Sequence, residues 1–348
     1  GIQFYPGSQV KYIGSFQGCT GIEFIDNMPA TVETIADRAF QGCTRLRDLT
    51  LNKGLKYIGI SCFEGCTSLE SIKLPASLKV LRENAFRVCT GLQTVEFEDG
   101  VDFYTGYSYG FYNNVFDGCK SLHTVKLPKN TPGDFIIPMA TFSWCSSLKS
   151  IEFPANTYRI DQLAFYRTGI ENLDLTTITS NEIFVEGYYT FAACENLKSV
   201  TANGNFRFSN TSLYTFQDCK ALKTFTVNGS GDDYIEITPD AFRWCDNLES
   251  VNVYRLKGTG ENNEMDSVFV GCKKLKEVIS TCEPEVNKVG YGCFLDCESL
   301  ETVTLPKQAF KVNESAFKGC AALQSLDLAN VTLIGTKAFN GCNALTSI

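Results

Sequence analysis

"AFQGCTRLRDLTL", Ala39 to Leu51, holds the unit from which the rest of the chain is read. Phe40 is followed three residues later by Cys43, and Cys43 by Leu46, Leu49 and Leu51. The closing Leu-x-Leu alternates as a strand does, one side chain in and the next out. The same spelling returns as Phe16 with Cys19, Phe63 with Cys66, Phe116 with Cys119 and Phe317 with Cys320. Fourteen phenylalanines hold this slot: Phe16, Phe40, Phe63, Phe86, Phe116, Phe142, Phe165, Phe191, Phe216, Phe242, Phe269, Phe294, Phe317 and Phe339. Their spacing runs from 22 residues (Phe317 to Phe339) to 30 (Phe86 to Phe116). Thirteen of them have cysteine at the third position after; Phe165 has Thr168 instead.

Around this unit the repeat reads as strand, turn, short extended piece and helical turn. Proline often stops the first strand, at Pro75, Pro128, Pro154 and Pro306. A second apolar pair follows, such as Leu55 with Ile58 or Leu78 with Leu81. Then come "DRAF", "ENAF", "PDAF" and "ESAF", read as a polar cap leading into one helical turn. No unit of about 25 residues buries its own apolar face, whereas stacked units cover one another. The expected fold is an α+β repeat solenoid of about fourteen units. It is a curved right-handed coil with a parallel β-sheet on one face and short strands and helical turns on the other. It is expected to form a single domain over residues 1–348. The last residues, Ala344 to Ile348, stop inside a strand. A fragment of a longer protein, a further domain, or an end covered by a neighbour is therefore expected.

From Ile58 to Phe97, "IGISCFEGCTSLESIKLPASLKVLRENAFRVCTGLQTVEF" resembles the BspA-type leucine-rich repeat. The resemblance rests on the recurring I-G-x-x-A-F-x-x-C-x-x-L-x-x-I-x-L-P pattern and covers residues from about 10 to 348. It departs in the first unit, where Ile13 lies two residues nearer Phe16 than Ile35 does to Phe40, and through insertions. The family implies a bacterial or protist surface or secreted protein, adhesion or binding of host proteins, and no catalysis.

The chain has 348 residues, 44% hydrophobic, with a net charge of −8. That balance lacks the basic stripe of a nucleic-acid binder and gives nothing to anchor it by charge on anionic lipid. No run of about 18 apolar residues spans a membrane. The first residues lack the charged and apolar regions of a signal peptide, so an extracellular or cell-surface location is what the resemblance implies.

Sixteen cysteines invite a disulfide framework. Equivalent cysteines of stacked repeats, however, sit one strand spacing apart, about 4.8 Å, with parallel Cβ vectors, where a disulfide wants Cβ atoms about 3.8 Å apart. Only Cys293 and Cys297 approach a zinc spacing, and four convergent ligands are absent. A cysteine nucleophile needs a base, and the only histidine, His123, occupies a solvated slot. The cysteines are therefore read as buried packing residues. Phe40, Cys43, Phe63, Cys66, Phe86, Cys89, Phe116 and Cys119 form the rungs of a structural ladder. Cys62 and Cys293 fill small core slots, and Cys282 is expected to be the most exposed thiol. No cofactor, metal or enzymatic activity is expected.

Binding is expected where the ladder is interrupted. The outward columns of the main strands carry Lys73, Glu96, Lys126 and Asp174 beside Ser71, Thr94, Thr124 and Asn172, a solvated face without aromatic anchors. The longest insertion, residues 98–114, carries Phe103, Tyr104, Tyr107, Tyr109, Phe111 and Tyr112 among Gly and Ser, the chemistry of adaptable recognition surfaces. Phe111 is expected to fill an inward slot. Tyr104, Tyr107, Tyr109 and Tyr112 are the candidate ligand-binding residues. Asp232 and Asp233 fall short of the six to eight oxygens calcium takes. The expected function is a non-catalytic extracellular adhesion module, monomeric, binding a host or matrix protein. The alternatives are a glycan ligand on residues 98–114, or a structural spacer.

Overall fold

The computed structural model describes residues 1–103, 110–209, 211–259, 263–308 and 310–347. The chain divides into two compact units, Gly1–Ile170 and Glu171–Ile348. Each is a β-solenoid, and every described pairing between strands is parallel. In the first unit, Ser71–Leu74, Thr94–Phe97 and Thr124–Lys126 lie side by side, with Ile72, Val95 and Val125 in register and buried. A second ladder joins Tyr12–Ile13, Thr34–Ile35, Tyr57–Ile58 and Val80–Leu81. In the second unit six strands run from Asn172–Asp174 to Thr302–Val303. Leu173, Val200, Phe225, Val251, Val278 and Val303 share one register.

The phenylalanines stack on one another within each unit. From Phe16 to Phe165 the ring centroids are 5.1–5.7 Å apart. From Phe191 to Phe339 they are 5.1–5.5 Å apart. Near-parallel rings at this distance are in the offset-stacked range. Each fully buried ring contributes roughly 1.5–3 kcal/mol of transfer free energy, before conformational entropy is subtracted.

The helical turn is not there: no described residue is helical, so the architecture is β-solenoid and not α+β. The residue two before Phe and the residue before Cys both have positive φ, as at Arg38 (56°) and Gly42 (72°) around Phe40. A left-handed residue every four positions prevents a right-handed helix from propagating. What remains is a chain of tight turns: Gln41 N donates to Arg38 O, Cys43 N to Phe40 O, and Leu46 N to Cys43 O. The polar residues read as caps instead hold left-handed positions, as Asn84 (59°), Asp240 (56°) and Ser315 (57°) show. Asp37 does not cap its own turn; its Oδ1 accepts Ile60 N of the next repeat at 2.8 Å.

These turns form a third hydrogen-bonded ladder. Arg38 N, Phe40 N and Gly42 N donate to Ile60 O, Cys62 O and Glu64 O, each at 2.8 Å. In the second unit Ser267, Phe269 and Gly271 donate to Tyr291, Cys293 and Leu295 in the same way. Alternate peptides thus satisfy the next repeat, which meets the backbone's demand for partners without a helix.

Candidate binding surfaces

The cysteines offer no reactive site. All sixteen are free; thirteen are buried, Cys282 and Cys342 are half-buried and Cys19 is exposed. Cys19, not Cys282, is thus the exposed thiol. Each ladder thiol from Cys43 to Cys145 donates to the carbonyl of the preceding repeat's phenylalanine, Cys43 Sγ to Phe16 O at 3.2 Å and Cys119 Sγ to Phe86 O at 3.2 Å. The second unit repeats this from Cys219 to Cys342. Burial pushes the Cys62, Cys89, Cys119 and Cys272 thiols well up, away from thiolate. Nucleophilic and metal chemistry need thiolate, so these groups serve the stack. Among the described residues no cluster of three or more His, Cys, Asp or Glu is placed to hold a metal. Asp233 is engaged locally, its Oδ2 accepting Ser230 N at 2.8 Å. His123 is exposed and sits beside its neighbour, Nδ1 2.9 Å from Thr124 Oγ1.

The outward face of the main sheet neutralises itself in the first unit. Glu96 lies 3.3 Å from Lys73 Nζ and 3.1 Å from Lys126 Nζ, and Glu98 lies 3.7 Å from Lys73. The lysines hold the Glu96 carboxyl below its ordinary range, the Lys126 hydrogen bond first. In the second unit the column passes through Asp174, Thr201, Thr226 and Asn252 to Ile279, an apolar residue that the sequence columns left out.

Of the candidate tyrosines, Tyr104, Tyr107 and Tyr109 lie outside the described residues. Tyr112 is half-buried, with the Arg82 guanidinium 4.6 Å above its ring. Phe111 is buried and bridges Leu81, which returns the insertion to the repeat register. Phe103 is buried against it, centroids 5.2 Å apart. Gly110 is required at this return, since a Cβ there would lie 1.9 Å from Lys79 O. The insertion thus roots itself in the core through phenylalanine and leaves tyrosine for its outer part.

The turn face carries features that sequence reading missed. Gln17, Gln41, Glu64, Arg87 and Asp117 stand directly after successive ladder phenylalanines. They join in one chain of contacts: Gln17 Nε2 to Gln41 Oε1 (2.8 Å), Gln41 Nε2 to Glu64 Oε2 (2.9 Å), and Arg87 to Glu64 (3.0 Å) and Asp117 (3.1 Å). Further along, the same columns turn aromatic. Trp144 is 43% exposed, with the Arg167 guanidinium 4.5 Å above it and the Tyr166 ring edge-on at 6.0 Å. In the second unit Tyr189 and Tyr214 stack at 5.0 Å, and Arg243 lies 4.4 Å over Trp244. The available signal was that both tryptophans of the chain replace glycine in its recurrent slot before cysteine.

A family model described as BspA type leucine rich repeat region (6 copies) matches residues 12–113, 109–249 and 236–348. No curated protein matches the chain. Among solved structures, a leucine-rich repeat protein from Bacteroides ovatus is 24% identical over 97% of this chain and 81% of that one, with a TM-score of 0.62. The pneumococcal vaccine antigen PcpA is 18% identical over 94% and 85%, with a TM-score of 0.43. A leucine rich cell surface protein from Faecalibacterium prausnitzii is 19% identical over 97% and 76%, with a TM-score of 0.34. The first of these shows a common fold.

Proposed function

The chain belongs to the BspA-type leucine-rich repeat family, and on that premise we propose that it is a non-catalytic protein-binding module of a cell-surface or secreted protein, acting in adhesion to a host or matrix protein. It acts as a monomer and as one continuous solenoid domain over residues 1–348, the 26-residue step from Phe165 to Phe191 lying within the ordinary range of the repeat. One observation carries the reading: the family match follows the repeat from residue 12 to residue 348, so the chain is almost wholly scaffold for the surface it presents. Solenoids of this kind bind through extended surfaces. The chemically capable groups are turned to the stack, the thiols donating to phenylalanine carbonyls. Tyr104, Tyr107, Tyr109 and Tyr112 remain the candidate contacts on the insertion, and their interleaving with Gly and Ser supports a recognition role.

The test presents the purified chain to immobilised host-matrix proteins and, in parallel, to a glycan array. Saturable binding to a matrix protein is expected. Binding to glycans alone, lost with Tyr107→Ala and Tyr109→Ala together, would replace this reading with carbohydrate recognition by residues 98–114. Binding to neither panel would leave a structural spacer.

A further inference from the structure

Trp144 and Trp244 each stand immediately before a ladder cysteine, the slot that glycine fills in seven of the fourteen repeats. Both have φ 59°, a left-handed conformation that penalises a bulky side chain. Burial does not offset this, because each tryptophan remains 43% exposed. Trp244 has a structural account. Its ring lies against Gly271, where an added Cβ would meet it at 2.7 Å, and the Arg243 above it is held by Asp240 at 2.9 Å.

Trp144 has a different neighbour. Where Trp244 meets glycine, Trp144 meets Arg167, itself left-handed with φ 57° and exposed. The Arg167 guanidinium lies 4.5 Å from the Trp144 ring centroid and 5.4 Å from that of Tyr166, and Nε donates to Tyr166 Oη at 3.1 Å. Tyr166 stands edge-on to Trp144 at 82°. Two strained, exposed residues in successive repeats thus converge on one point of the first unit. Strained backbone of this kind clusters at functional positions, and Trp, Tyr and Arg dominate binding hot spots.

We propose that Trp144, Tyr166 and Arg167 anchor a protein-docking surface on the turn face of the first unit, and that its partner is a protein segment presenting a carboxylate beside an apolar side chain. This rests on the protein-binding reading above and assigns it a place. The partner's chemistry follows from the geometry. Arg167 covers the indole face that a sugar ring would need for stacking on that side. A guanidinium laid over aromatic rings points its fork of N–H donors outward in the ring plane, the arrangement that pairs with a carboxylate. The indole and phenol edges around it supply apolar contact for the neighbouring side chain.

The experiment selects displayed random heptapeptides on the immobilised full chain and measures the enriched peptides against Trp144→Gly, Arg167→Gly and Trp244→Gly. An acidic-glycan array is run alongside. Glycine is the residue this slot accepts, so the variants should fold, and their thermal midpoints should equal or exceed that of the parent. Enriched peptides should carry Asp or Glu next to an apolar residue. They should bind the parent and Trp244→Gly alike and lose tenfold or more in affinity with Trp144→Gly and Arg167→Gly. Peptides that bind all variants equally would overturn this placement and leave the general reading standing. Failure to enrich any peptide would overturn both. Capture of acidic glycans through Arg167 would overturn the protein partner. A midpoint several degrees lower in Trp144→Gly, with peptide binding intact, would make the cluster a structural staple.

Discussion

A phenylalanine stacked in a ladder loses more on truncation than its own transfer free energy, because its neighbours lose a ring as well. Phe191 is 1% exposed, and the Phe216 ring lies 5.5 Å from it at 9°. Phe191→Ala should destabilise the chain by about 3–5 kcal/mol, transfer and cavity together. Urea unfolding measures this, and a near-neutral value would mean the ring is not carrying the stack. The cysteine beside it was legible in the sequence as a small buried residue. Its second property was not: the thiol is a hydrogen-bond donor to a carbonyl one repeat away, which spacing cannot reveal. Cys119 tests this with two substitutes of nearly equal shape. Cys119→Thr keeps a donor near Phe86 O and Cys119→Val does not, so Thr should be the more stable by about 1 kcal/mol. Equal stabilities would reduce the thiol to packing. Thr168, standing in the cysteine slot after Phe165, is the substitution that the chain already contains.

At the scale of the element, strands and turns differ in how openly they are written. The alternation of Ile72 and Leu74 with Lys73 gives the strand, its register and its buried face. The turn segment was misread as helical because the sign of φ has no fixed letter. Glycine marks it at Gly42 and Gly65, but Arg38, Val88, Trp144 and Arg167 adopt the same left-handed conformation. Inter-repeat hydrogen bonds hold them there, such as Val88 N to Asp117 O and Trp144 N to Tyr166 O, both 2.8 Å. For the same reason Trp144 escaped notice as a candidate contact. In sequence it is one more varied surface residue; in three dimensions it is a large ring where the backbone favours none. The insertion at residues 98–114 was more legible, because aromatic density announces it, and the inward setting of Phe111 followed from its distance to Phe116. Gly65 gives a clean test of the turn geometry. Its φ is 73°, and an added Cβ would come no nearer than 3.9 Å to any atom beyond its chain neighbours. Gly65→Ala therefore probes conformation alone and should cost about 1–2 kcal/mol, read from the shift in denaturation midpoint. No loss would mean that the left-handed turn is dispensable.

For the molecule as a whole, the buried thiols couple stability to pH in one direction. Cys62, Cys66, Cys89, Cys119, Cys145, Cys219, Cys245, Cys272, Cys293 and Cys297 are all pushed up, with burial the leading cause in each. In the unfolded chain a thiol titrates near 8.5. Below that pH both states hold the proton and the thiols have no effect on the balance. Above it the unfolded state releases protons that the folded state retains, so stability falls as pH rises. Each thiol removes about 1.4 kcal/mol per pH unit, and ten together roughly 14, which is comparable to the whole stability of an ordinary domain, about 5–15 kcal/mol. The chain should therefore unfold steeply between about pH 9 and 10.5. Circular dichroism would follow the transition, with about ten protons released across it by potentiometric titration, and return to pH 7 under reducing conditions should restore the fold. Retention of native structure at pH 11 would mean that the thiols ionise in place or are not protonated donors in the stack. Pairwise disulfides would give the same resistance, but with few free thiols after denaturation without reductant, so one thiol count separates the two outcomes.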